Sequence, residues 1–152
     1  KQFTIVVGNL IATISGGLTL GVIKPQVLYC ILLNASFAGL LSPLWDMRDI
    51  RGDKISQVKT IPVLWENRLT VRLALGILAA SEVATLIGYS RLGFTLVMPI
   101  LFTIIIVTMI YIIFPLLREW NDPIYLNSVL FKRVFPLYIL LQMPIYIEVL
   151  TL

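Results

Sequence analysis

Long apolar runs dominate this chain and leave few folds open to it. A helical residue rises about 1.5 Å, so about 20 apolar residues cross a hydrocarbon core of about 30 Å. Five stretches qualify or nearly so: about Phe3–Ile23, Gln26–Trp45, Leu69–Tyr89, Phe94–Leu117 and Val134–Leu152. Of the 152 residues, 59% are hydrophobic and only 13% charged, about half the charged share of a soluble domain. The expected fold is all-α: one polytopic transmembrane helical bundle over residues 1–152, with about five spans.

The punctuation supports an up-down arrangement. Lys24-Pro25 ends the first run, and Ser90, Arg91 and Gly93 are read as a tight turn, so the flanking helices are antiparallel neighbours. Two longer polar connections remain, Asp46–Arg68 (a loop or a helix extension) and Arg118–Arg133. A kink is expected at Pro99 and a bend near Pro115. Gly8, Gly16, Gly17 and Gly21 in the first run are read as close-packing positions. Lys1, Arg48, Arg51, Lys54, Lys59, Arg68, Arg72, Arg118, Lys132 and Arg133 fall on one side of such a bundle, Lys24 and Arg91 on the other. Ten basic residues against two place the 46–68 loop in the cytoplasm. Lys1 leads straight into a full-length apolar run, so no signal peptide is expected. The absence of histidine excludes His-based catalysis and His metal sites, and the single Cys30 excludes an internal disulfide and thiolate zinc clusters.

The charged residues concentrate in one place. Asp46, Asp49 and Asp53 recur at i, i+3, i+7 between two apolar runs, which on a helix gathers them within about 60° of arc. Like charges on one face repel, and a hard divalent cation such as Mg²⁺ relieves the conflict by taking carboxylate oxygens while sharing its other sites with phosphates. Arg48 and Arg51 point to the other side; with Lys54 and Lys59 they add cations suited to a pyrophosphate. A mixed-charge loop facing lipid headgroups is the plainer reading, with Arg48 and Arg51 on lipid phosphate or neighbouring acids.

The stretch Asp46-x-x-Asp49-x-x-Gly52-Asp53-Lys54, followed by Lys59-Thr60-Ile61-Pro62, resembles the second Asp-rich motif of UbiA-type intramembrane prenyltransferases. The family pattern is close to D-x-x-D-x-x-G-D-(K/R)-x-x-G-x-(K/R)-T-x-P. Gln57 stands where that pattern has Gly, and Trp65-Glu66 replaces its usual Leu-Gly. Lys1-Gln2-Phe3-Thr4 resembles the basic entry to the family's fifth span, and the layout of spans resembles the second half of its nine-helix fold. The family's first motif, N-x-x-x-D-x-x-x-D, does not occur, and Asn121-Asp122 lacks its spacing. The resemblance therefore implies one half of a two-walled site, completed by a missing N-terminal half or a second chain.

The resemblance also implies an activity: Mg²⁺-dependent transfer of a prenyl group from a prenyl diphosphate to a lipophilic acceptor. The motif's form is closest to the branch that uses geranylgeranyl diphosphate on a glycerol-phosphate ether; an aromatic quinone precursor is the other acceptor class. Asp46, Asp49 and Asp53 are the implied metal ligands, Asp49, Asp53 and Lys59 the catalytic set, and Arg51, Lys54 and Lys59 the diphosphate cations. Asn34 and Trp45 are placed in the substrate cavity. Membrane lipid is an expected partner and nucleic acid is not. Two alternatives stand beside this: a UbiA-type terpene cyclase, and a non-catalytic membrane subunit binding lipid headgroups.

Other polar positions carry quieter readings. Glu82, deep in the third run, is either functional or hydrogen-bonded to Ser or Asn on another helix. Asn34 also suits interhelical hydrogen bonding, and Glu148 snorkels. Trp120, Tyr125, Tyr138 and Tyr146 fit an interfacial belt or bundle packing.

Overall fold

The structure is a computed structural model that describes residues 24–119 and 122–151, with isolated positions 4, 7, 8, 11, 14 and 15. Most of the expected first span, with Gly16, Gly17 and Gly21, lies outside the described residues, as do Trp120, Asn121 and the side chains of Tyr146 and Glu148.

The described residues form helices and no strand. Helix α1 (Pro25–Asp46) starts with proline after an extended Lys24, where a missing N–H costs nothing. It tightens into a 3₁₀ turn (Met47–Asp49) and continues as α2 (Ile50–Ile55), giving a rod of 31 residues. Then follow α3 (Ile61–Trp65), α4 (Asn67–Leu92), α5 (Val97–Ile113), α6 (Leu116–Glu119), α7 (Pro123–Val129), a π turn (Leu130–Val134) and α8 (Phe135–Thr151). Four helical stretches are long and apolar enough to cross a membrane: Pro25–Ile55, Asn67–Leu92, Val97–Glu119 and Pro123–Pro144. They correspond to the second to fifth expected spans.

Chain neighbours pack on one another, α1 on α4, α4 on α5 and α5 on α8. One stripe of each helix supplies the core: Cys30, Leu33, Phe37 and Leu44 from α1, Val71, Ala74, Leu78, Ser81 and Thr85 from α4, and Met98, Phe102, Ile106, Met109 and Ile113 from α5. Within α4 and α5 the spacings are threes and fours, which keeps these residues on one face of each helix. Phe37 meets Phe102 at 5.6 Å between ring centroids. Trp45 closes the loop end of the bundle, 4.8 Å from Phe131 and 6.0 Å from Phe135. At the opposite end Gln26 Nε2 donates to the Leu92 carbonyl at 2.8 Å. The outward stripes stay apolar, with Ile77, Val83, Ile87, Ile100, Ile104 and Val107 exposed, as suits contact with lipid. Buried hydroxyls turn back along their own segment, Thr85 to the Ser81 carbonyl at 2.8 Å and Thr70 to that of Glu66 at 3.0 Å, and Tyr29 of α1 donates its hydroxyl across the seam to Thr85 Oγ1 at 3.4 Å.

Several boundaries differ from the sequence reading. Ser90 and Arg91 belong to α4, and only Gly93, at φ 73°, leaves the helix. Pro99 lies in the first turn of α5, where its missing N–H breaks no intrahelical bond, so it makes no kink. Pro115 does divide α5 from α6. The second polar connection is largely helical: Asp122 Oδ1 accepts from the Ile124 and Tyr125 amides at 2.9 and 3.2 Å, and Pro123 begins α7. Glu82 takes the hydrogen-bonded reading, with Thr103 of α5 donating to Oε1 in place of Ser or Asn.

Candidate functional site

The segment 46–68 is a helix extension, a turn and a short helix. Its turn has the hydrogen bonds of a Schellman motif: the Val58 amide reaches the Asp53 carbonyl at 2.8 Å and the Gln57 amide that of Lys54 at 3.3 Å. Such a turn needs a left-handed residue after the helix, and Gln57 occupies it at φ 56°. The buried Thr60 then leads into α3, with Pro62 in its first turn, and donates its hydroxyl to Asp53 Oδ2 at 3.2 Å. That contact ties the turn back onto α2. After α3 the chain reverses at Glu66, φ 69° and ψ 156°, a region that favours glycine almost alone. Gln57 and Glu66 are the two non-glycine residues with positive φ among the described residues, and both stand where the family pattern has Gly.

The acids and cations separate. Asp46 is buried at the end of α1, 5% exposed. Asp49 is exposed and paired with Arg48 at 3.0 Å. Asp53 is half-buried and held by Thr60. No group of three or more Asp, Glu, His or Cys residues able to hold a metal ion forms among the described residues. Carboxylate oxygens are of the right chemical type for a hard divalent cation.

The cations go elsewhere. Met47, Ile50, Arg51 and Lys54 recur at i, i+3, i+4, i+7 and, with Arg48, line a cleft of about 560 Å³. Pro62, Glu66 and the buried Asn67 form another wall, and Pro123 and Leu126 of α7 close it from the second connection. Arg48 also lies over the Phe131 ring, 5.2 Å from its centroid, which fixes the guanidinium between Asp49 and the bundle. Arg48, Arg51 and Lys54 give the cleft three cations, of which Arg48 is already paired with Asp49, against the single acid Glu66.

Of the expected diphosphate residues, Arg51 and Lys54 line the cleft, while Lys59 is exposed on the turn and does not. None of the three aspartates lines it either. Asn34 and Trp45 are not part of it: Trp45 is aromatic packing, and Asn34 sits twelve residues before Asp46, about 18 Å lower on the rod. Asn34 Oδ1 is buried without a hydrogen-bond partner. Sequence reasoning missed Glu66, Asn67, Pro123 and Leu126. Asp122-Pro123, a helix-start signal, is the cue to the helix that carries Pro123 and Leu126. No protein-family model, curated protein or solved structure matches the chain.

Proposed function

We propose that this chain is one half of a multi-pass intramembrane prenyltransferase, with segment 46–68 on the cytoplasmic side. The carrying observation is the cleft in which Arg48, Arg51 and Lys54 converge at the end of two apolar helices. A prenyl diphosphate, geranylgeranyl diphosphate by the motif's form, puts its diphosphate there and its tail along the apolar bundle. Guanidinium and ammonium groups hold phosphate oxygens and offset the negative charge that grows on the leaving pyrophosphate. Supporting this reading, Gln57 and Glu66 keep a glycine's backbone at two motif positions.

Asp46, Asp49 and Asp53 would hold Mg²⁺, together with a second acidic wall from upstream sequence or a partner chain. Bound there, Mg²⁺ supplies charge neutralisation at the departing pyrophosphate. Thr60 keeps the Asp53 carboxylate aimed, and the apolar helix faces exclude water from the carbon that is attacked. The acceptor is lipophilic, a glycerol-phosphate ether or an aromatic quinone precursor. Lys59 follows Val58 on the turn and precedes Thr60, the residue whose hydroxyl holds Asp53.

A second reading has its own observation: the carboxylates turn to Arg48 and Thr60 while the cations alone line the cleft. That arrangement suits a headgroup-binding subunit. Pyrophosphate release from geranylgeranyl diphosphate by the protein with its completing half, with and without acceptor, separates the possibilities. Acceptor-dependent release that Asp53→Asn abolishes supports the transferase. Release without acceptor points to a terpene cyclase, and no release under any condition leaves the headgroup-binding subunit.

A further inference from the structure

A second groove opens on the outer surface at the same end of the bundle, away from the motif. It has about 460 Å³ and lies along the last two turns of α5, lined by Val107, Ile110, Tyr111 and Phe114, with Tyr125 of α7 and Arg133 of the π turn at its mouth. The floor is apolar and turned outward: Val107 is 56% exposed, Phe114 57% and Tyr111 79%. From Phe114 back to Val107 it runs about 10 Å toward the middle of the helix.

The π turn explains how a cation comes to lie here. The Phe135 amide bonds the Leu130 carbonyl, an i→i+5 closure that inserts an extra residue. Leu130 and Val134 stay buried, and the three residues between them face out. Phe131 turns to Trp45 and Arg48, whereas Arg133 turns to the groove. Among the described residues no carboxylate pairs with Arg133, and neither the Tyr111 nor the Tyr125 hydroxyl has a hydrogen bond. A guanidinium and two phenols are thus left open at the rim of an apolar groove, at the end where charged segments leave the helices.

We propose that this groove is a binding site for one anionic phospholipid. The phosphate sits on Arg133, which can offer it two parallel donors, with the phenols of Tyr111 and Tyr125 in the headgroup layer. The first part of an acyl chain lies along Val107, Ile110 and Phe114. The site is separate from the motif cleft, with which it shares no lining residue, and it stands whether or not the chain transfers prenyl groups.

Native mass spectrometry of the detergent-solubilised full chain, titrated with phosphatidylglycerol and with phosphatidylcholine of the same acyl composition, tests this. The expected result is preferential retention of phosphatidylglycerol, weakened about fivefold by Arg133→Gln and unaffected by Arg68→Gln. Val107→Trp fills the groove without touching the charge, and is expected to lower retention as well. Equal retention of the two lipids, or unchanged phosphatidylglycerol binding in a folded Val107→Trp protein, overturns the proposal. Displacement of the lipid by inorganic phosphate at similar concentration also overturns it, by assigning Arg133 to a free anion.

Discussion

Two helix ends in this chain use one turn geometry with different residues, and exchanging those residues measures what the geometry costs. Gly93 ends α4 at φ 73°, with the Phe94 amide on the Tyr89 carbonyl at 3.0 Å. Gln57 does the same for α2 at φ 56°. A side chain in the left-handed region costs roughly 1–2 kcal/mol, because Cβ crowds the following carbonyl. Glycine's extra freedom in the unfolded chain gives back about 0.5–1 kcal/mol. Gln57→Gly should therefore stabilise by about 0.5–1 kcal/mol, raising the melting temperature by roughly 1–4 °C for a chain of this size. Gly93→Ala should lower it by a similar amount. A Cβ at Gly93 meets no atom within 4 Å, so backbone conformation alone is tested there. Thermal unfolding in detergent, followed by tryptophan fluorescence, reads both. If Gln57→Gly destabilises while Gly93→Ala is neutral, the turn joining Asp53 to Thr60 is not the one described and the reasoning fails.

Two further outcomes follow from the same physics. Glu66→Gly releases a conformation that costs a non-glycine residue about 1–3 kcal/mol, and removes the one acid among the cleft's cations; melting temperature and inorganic pyrophosphate affinity should both rise, and a fall in either contradicts the strain or the cleft. Thr103→Val strips the donor from Glu82, whose Oε2 is already buried without a partner, and should cost about 1–3 kcal/mol. The double variant Glu82→Leu/Thr103→Val should recover most of that loss, and an equal or larger loss in the double variant rules out a purely structural pair.

The spans were legible because about 20 apolar residues in a row admit one solution in a bilayer, and the helices from Pro25 onward follow the expected order. Their ends were less so. Ser90 and Arg91 are polar yet helical, since an exposed helix end tolerates them, and only the left-handed Gly93 forces the exit. Asp122-Pro123 carried a capping signal that polarity obscured within Arg118–Arg133. At the site, the i, i+3, i+7 spacing assigned acids and cations to different sides of one helix, and the structure keeps them apart. What spacing could not give is the partner surface. Pro123 and Leu126 reach the cleft from a segment far along the chain, through packing that depends on the whole bundle. Trp45 shows the converse: placed in the substrate cavity by its position beside the loop, it packs against Phe131 and Phe135, contacts that no local spacing announces.

Binding of inorganic pyrophosphate, measured by titration calorimetry, decides whether the cations of segment 46–68 form a diphosphate cleft. The parent chain should bind pyrophosphate, and Arg51→Gln/Lys54→Gln should weaken binding at least about tenfold, whereas Arg68→Gln and Arg91→Gln, outside the cleft, should leave it unchanged. Equal binding by the parent and the double variant would contradict the claim, as would a parent chain that binds no pyrophosphate.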